Sequence, residues 1–323
     1  MKKLRVVRSD YLTLEEGCNK YLDNCRARNL REGTINHYRQ SYVQFYKYFG
    51  KDMLVHEIDE KVYQKYVIYL RETLQNDVSI NSYLRDFITT MHFLMREGYL
   101  ESFRMQAIKV DRSGVETYTD EELYALLKKP NIKKCSFIEY QCWVMTNFLF
   151  STAVRQRSLM HIRVKDIDFD NNVVQVSVTK NRKHLIVPFN QTMRNILKEF
   201  LKYRQHKTPE DFLFCNVFGQ QLVKSTCYHM LYEYNKRRGV ETTGIHRYRH
   251  TFAKQWILNG GNVVSLSKIL GHSSLQITQN YINLLVSDVS KEVSTLNLLD
   301  KFAERKKINL KTKQDANNRY STE

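Results

Sequence analysis

Four stretches of the 323-residue chain carry side chains that could act together on one phosphodiester. "STAVRQRSL" holds Arg155 after an apolar segment. "GIHRYRHTFAKQ" holds His246 and Arg249 at i and i+3, on one face of a helix. "LGHSSLQITQNY" holds His272, with Tyr281 nine residues later, and Lys180 sits at the tip of a candidate hairpin, 25 residues after Arg155. Two guanidinium groups can grip non-bridging phosphate oxygens with planar, charge-assisted forks. Histidines can donate to the same oxygens as charge builds in a five-coordinate transition state. A tyrosine oxygen can attack phosphorus and hold a covalent intermediate, and a lysine can protonate the departing 5′ oxygen. Neither paired carboxylates nor a Gly-rich nucleotide loop is visible, so the charge a metal would supply falls to the arginines, and no cofactor or metal is expected.

Taken singly, each residue is ambiguous. An isolated arginine is usually solvated, Lys180 alone reads as a turn residue, and Tyr281 is one of 21 tyrosines, any of which could be a core aromatic. His246 and His250, at i and i+4, could pass for a zinc pair. However, no Glu follows His246, and Arg247 and Arg249 flank the site.

The elements that must position these groups form two helical blocks and a short sheet. The first block reads as four amphipathic helices. The first opens at Thr13, with Glu16 completing a capping box. The second runs from Thr34 to Gly50 with Ile35, Tyr38, Tyr42, Phe45 and Phe49 on one face, and the others cover about 60–75 and 78–97, the last stopping at Gly98. Residues 103–117 lack periodicity and read as a linker. Thr119 and Glu122 form a second capping box, and a buried helix follows over about 137–150. Alternation of Val174, Val176 and Val178, with turns at Asp170–Asn172 and Thr179–Lys183, predicts a three-stranded antiparallel meander with a basic tip. From about 190 to 300 the pattern is again helical, with Ser273 and Gln276 as a cap before Tyr281.

Lys and Arg total 51 against 34 Asp and Glu, a net charge of +17, which favours a polyanionic partner. No apolar run approaches the roughly 20 residues that span a bilayer, so nucleic acid is preferred over a membrane and a cytoplasmic chain is expected. The six cysteines (18, 25, 135, 142, 215 and 227) show no CxxC and read as reduced.

Order and spacing together resemble the tyrosine recombinase (phage integrase) family, with "RHTFA" (249–253) and "ILGHSSLQITQNYI" (269–282) as flanking text. The resemblance implies a mainly α fold with a small antiparallel β-sheet. Residues 1–103 would be an N-terminal helical core-binding domain, 104–117 a linker, 118–300 the catalytic domain and 301–323 a basic tail. No arm-binding domain is expected before residue 10. Arg155 and Arg249 would clamp the phosphate, Lys180 would be the general acid, His246 and His272 would stabilise the transition state, and Tyr281 would be the nucleophile. The implied reaction cuts and rejoins double-stranded DNA core sites through a 3′-phosphotyrosyl linkage and a Holliday junction. It would proceed in a homotetramer on synapsed DNA, with or without an accessory DNA-bending protein, in a prokaryotic, nucleoid-associated setting. Composition favours a mobile-element integrase over a chromosome-dimer resolvase. The alternatives are a type IB topoisomerase and a DNA-binding protein without catalysis. Two positions depart from the family: Ala153 stands where Gly is usual, and Ser158 where an acid would orient a catalytic side chain. Beyond Tyr281, residues 287–307 place Val289, Val293, Leu296 and Leu299 near one stripe, which in such proteins docks into a neighbouring protomer.

Overall fold

The computed structural model describes residues 12–110, 116–177, 184–241 and 243–283, with side chains to 279 in the last stretch. Lys180, the Thr179–Lys183 tip, Val178 and the 287–307 stripe lie outside them. The chain divides into two compact units, Met1–Ser113 and Gly114–Glu323.

The first unit holds α1 (Leu14–Ala27), α2 (Glu32–Phe49), a 3₁₀ turn at Val55–Glu57, α3 (Glu60–Thr73) and α4 (Asp77–Glu97). Thr13 and Glu16 close the predicted capping box, and Gly98 ends α4 in the left-handed region at φ 84°. The second helix starts two residues before Thr34, from Arg31 without a side-chain cap; Glu32 then lies in the first turn, where the helix dipole favours an acid. Phe45, Tyr66 and Phe87 are fully buried, and the rings of Phe45 and Phe87 meet edge-on at 5.1 Å. Each such ring contributes on the order of 2–3 kcal/mol by leaving water. Asp86 ties α4 to α2, accepting from Ser41 Oγ at 2.5 Å and pairing with His37 Nε2 at 2.9 Å. Burial raises its carboxyl pKa, and those two partners oppose the shift. Beyond α4 the chain still belongs to this core, because Met105 is buried in it and Tyr63 donates to the Gln106 carbonyl at 2.8 Å.

The second unit is built around α6 (Phe137–Thr152), which packs against α5 (Asp120–Leu127), α8 (Gln191–Arg204), α9 (Lys224–Arg237) and α10 (Ile245–Leu258). Apolar residues on every face of α6 explain why it is central. The short α7 (Gln156–Leu159) follows, then a 3₁₀ turn at Val164–Asp166 and the sheet: β1 (Ile167–Asp168), β2 (Val173–Val176) and β3 (Leu185–Pro188). The strands are antiparallel in the order β1-β2-β3, with Val174 opposite Val187 and Val176 opposite Leu185. Asp168 accepts from the backbone of Asp170 and Asn171 and shapes the first turn. The stretch between α8 and α9 is not helical as its surroundings are. Pro209 and Gly219 break it, and Asn216 Oδ1 accepts from the Phe218 and Gln220 amides to fold a tight turn. The chain ends its described part with α11 (Val263–Leu270) and α12 (Leu275–Asn283). The six cysteines are free thiols.

Two left-handed residues terminate the helices nearest the predicted site residues. Ala153 ends α6 at φ 51° and ψ 23°, and Gly271 ends α11 at φ 58°. A Cβ on Gly271 would also sit 3.1 Å from Leu185 Cδ2, so the α11 turn packs closely on β3. Gly271→Ala is expected to lower stability by about 1–2 kcal/mol, from left-handed strain and the Leu185 contact. A urea midpoint equal to that of the parent chain would contradict this.

Candidate active site

The site begins with α10. Its N-terminus is fixed from behind by a buried polar network. Tyr118 donates to the Gly244 carbonyl at 3.3 Å, Asn235 Nδ2 donates to the Tyr118 oxygen at 3.0 Å, and Tyr248 donates to Asn235 Oδ1 at 3.0 Å. The Tyr118 amide donates to Thr251 Oγ1 at 2.9 Å, and Arg247 pairs with Glu116. These bonds lock the helix in rotation, because each partner is buried or tethered and has little room to reorganise. His246 is then in the first turn and exposed, while Arg249, one turn later, points inward and is only 5% exposed.

Arg249 reaches the ends of two other helices. Its Nη1 donates to the Ala153 carbonyl at 2.7 Å, and its Nη2 donates to the Leu270 carbonyl at 2.6 Å. Both acceptors belong to helix C-termini, whose last carbonyls have no intrahelical donor and carry the negative end of the dipole. The left-handed turn at Ala153 aims its carbonyl at the guanidinium. It also reverses the chain so that Arg155, half-buried, starts α7. Ser158 is buried on α7.

Arg249 Nη2 also lies 3.0 Å from His272 Nε2, and His272 Nδ1 lies 2.8 Å from Thr278 Oγ1. A guanidinium has no acceptor, so Nε2 must accept, and the ring proton of the neutral imidazole resides on Nδ1, donated to Thr278. Burial pushes the His272 pKa down to about 4, helped by the charges of Arg249 and Arg155 and by His250. Arg155 and Arg249 therefore act on the same ring. His250, unlike His246, faces inward; burial, then His246 and Arg249, push it down to about 4 as well.

The structure thus gathers Arg155, Arg249 and His272, with His246 at the open edge of α10. Tyr281 lies on α12, three residues beyond Thr278. Lys180 lies outside the described residues; β3 packs through Leu185 on the turn before His272. Two side chains and two backbone carbonyls join the site beyond the predicted residues. His250 had a signal, the i, i+4 spacing from His246, which also fits a zinc pair. Thr278 had none beyond its place between His272 and Tyr281. The carbonyls of Ala153 and Leu270 are backbone groups, invisible to side-chain reading. Among the described residues no group of three His, Cys, Asp or Glu side chains could hold a metal ion.

Comparisons with known proteins cover this whole arrangement. Residues 116–287 match the phage integrase family, and residues 13–110 match the phage integrase SAM-like domain. Among curated proteins, the chain is 24% identical over 274 residues to tyrosine recombinase XerD of Staphylococcus aureus, covering 82% of this chain and 92% of that one. The Staphylococcus saprophyticus XerD is 25% identical over the same length, with the same coverage. Among solved structures, the fold is similar to the Tn1549 transposon integrase in complex with circular intermediate DNA (TM-score 0.67, 20% identity, 84% of this chain and 95% of that one). It is also similar to a lambda integrase dimer bound to a core site (TM-score 0.68, 14% identity, 94% and 81%).

The two depressed histidines give the site a pH signature. Unfolded, both would titrate near 6.5; folded, they stay neutral down to about pH 4. The unfolded chain binds more protons in between. Their contribution is complete above about pH 6.5 and is lost as the pH falls toward 4. The urea midpoint is expected to drop through this window, and the double variant His250→Gln/His272→Gln should drop less steeply. Equal slopes for the two proteins would remove the histidines as the cause.

Proposed function

The chain belongs to the phage integrase family of tyrosine recombinases, and from that membership we propose a site-specific DNA strand exchange carried out by Tyr281 at the Arg155–Arg249–His272 centre. The observation that carries this reading is the buried Arg249 guanidinium, held by two helix ends and touching His272, in the same segment that leads nine residues on to Tyr281. A buried cation fixed by carbonyl dipoles is a ready counter-charge for a phosphate oxygen, because it needs no reorganisation as charge develops.

In this reading Tyr281 Oη attacks phosphorus, losing its proton, and the bond from phosphorus to the 5′ oxygen breaks. The DNA 3′ end is left on the enzyme as a phosphotyrosine, and Lys180 gives a proton to the departing 5′ oxygen. Arg155 and Arg249 neutralise the non-bridging oxygens, and His246 and His272 donate to them. A 5′ hydroxyl from a partner duplex reverses the step, and two rounds pass through a Holliday junction. The net charge of +17 fits a duplex partner, and binding should weaken steeply with salt. Exchange between two duplexes requires four active sites, so the working form is a tetramer on synapsed core sites, with an accessory DNA-bending protein as a permitted partner. The 287–307 stripe is the segment assigned to link its subunits. A role in a mobile element is supported by the likeness to the Tn1549 transposon integrase fold. Among the described residues no helix is long and apolar enough to cross a membrane.

The test is to recover covalent protein–DNA junctions from cells expressing the full chain, sequence them, and rebuild the site as a nicked duplex. The parent chain should form a phosphotyrosyl adduct on it, in EDTA as well as in buffer, while Tyr281→Phe should bind equally and form none. An adduct with Tyr281→Phe would exclude Tyr281 as nucleophile. Lys180→Ala should cleave the same duplex slowly, yet regain its rate when the scissile bond carries a bridging 5′-phosphorothiolate, whose sulfur leaves without an acid. Equal impairment on both substrates would assign the proton to another donor.

A further inference from the structure

Thr278 is an odd choice for its place. Among the described side chains of α12 it alone is buried, at 0% exposure, while Leu275 and Ile277 face solvent at 47% and 42%. Helices usually dock through apolar residues, and here the described residue turned inward is a polar one. Its hydroxyl is 2.8 Å from His272 Nδ1, and the opposite ring nitrogen is 3.0 Å from Arg249 Nη2. A single polar chain therefore runs from the Ala153 carbonyl through Arg249 and His272 to the helix that carries Tyr281.

The direction of that chain creates a conflict with the chemistry. As found, His272 Nε2 accepts from Arg249, so it carries no proton to offer a phosphate oxygen. For the ring to donate there while staying neutral, the proton must sit on Nε2, and Nδ1 must become an acceptor. The partner of Nδ1 must then be able to donate. A backbone carbonyl or a carboxylate at that point could only accept and would freeze the ring in its present tautomer. A hydroxyl can do either, by rotation about one bond.

We propose that Thr278 is a positioning residue that supports both tautomers of His272, accepting from Nδ1 in the DNA-free enzyme and donating to Nδ1 when a phosphate engages Nε2. This rests on the strand-exchange reading above. On DNA binding, a phosphate oxygen draws the Arg249 Nη2 hydrogen. One proton leaves Nδ1 and one arrives at Nε2 by exchange with water, the ring remaining neutral throughout, and the Thr278 hydroxyl turns about. Because the hydroxyl belongs to α12, the tautomer that serves the phosphate is available only while the helix bearing the nucleophile is docked. The same contact thus couples the placing of Tyr281 to the readiness of His272.

The experiment uses the full chain and the nicked duplex rebuilt from sequenced junctions. Thr278→Val keeps shape and burial but removes the hydroxyl, and Thr278→Ser restores it. The valine variant should bind the duplex with affinity within about two-fold of the parent, yet form the phosphotyrosyl adduct about ten-fold or more slowly; the serine variant should recover most of the rate. Nitrogen-15 spectra of the histidine rings, taken in the Tyr281→Phe background so that no cleavage occurs, should show His272 protonated at Nδ1 in the free protein and at Nε2 on the duplex. With Thr278→Val the shift to Nε2 should be lost or incomplete. Parent-like cleavage by Thr278→Val, or one His272 tautomer in both states, would overturn the proposal while leaving the recombinase reading intact. Failure of the parent chain to form any adduct would overturn both.

Discussion

A buried cation draws the ends of two helices of the second unit to one point. Arg249 is 5% exposed, and a guanidinium cannot shed its charge, so it must be solvated from within. The protein does this with the C-terminal carbonyls of α6 and α11, groups that would themselves be orphaned at helix ends. Two deficits cancel: the arginine gains acceptors, and two helices gain a cap with the sign their dipoles favour. Because carbonyl dipoles supply only partial negative charge, the cation keeps most of its attraction for an anion that arrives later. A carboxylate in their place would hold the arginine more tightly and leave less of that field for a phosphate.

Much else in the unit follows from the need to bring those helix ends to one point. The α6 end must turn sharply at Ala153, which takes the left-handed conformation at a cost of about 1 kcal/mol relative to Gly. Its methyl is fully buried with Ala253, Leu266 and Leu270, and that packing offsets much of the strain. The α11 end turns at Gly271, where the approach of Leu185 leaves little room for a side chain. Helix α10 is clamped in rotation by the Tyr118–Asn235–Tyr248 bonds, so that Arg249 faces inward while His246 stays at the surface. The sheet enters through the same turn: β3 carries Leu185 onto Gly271, linking the sheet to the loop that bears His272.

How much of this the sequence discloses depends on whether a feature is written in side chains or in backbone. Capping boxes at Thr13 and Thr119 and the stop at Gly98 are local, and each forms as its residues predict. The alternation of Val174 and Val176 fixes strand and register, since a slip of one residue would turn both valines to solvent. Arg249 and His272 are legible as a pair only through order and spacing, because the contact spans 23 residues and two helices. The carbonyl acceptors are not legible at all, since every residue has one and only the fold decides which are left without donors. The non-helical stretch before α9 was within reach, as Pro209, Asn216 and Gly219 are turn residues set in an otherwise helical region. His250 and Thr278 were hidden for another reason. Their types are common, and their roles come from burial, which spacing alone does not give.

Burial of Thr278 changes how α12 should be regarded. Among its described side chains, the apolar Leu275 and Ile277 face solvent and Thr278 turns inward, on a helix that packs beside α10 and α11. The inward contact of Thr278 is a hydrogen bond to a neutral imidazole, whose net worth is on the order of 1 kcal/mol. The carbonyl clamp on Arg249 is made by α6 and α11, not by α12. In the proposed strand exchange, the groups that would meet the phosphate and the helix that would carry the nucleophile are therefore distinct elements. The first belong to the packed part of the unit, and the second is joined to them through the Thr278–His272 hydrogen bond. That joint exists because, among the described side chains of this short helix, the one turned inward is a hydroxyl and not a methyl group.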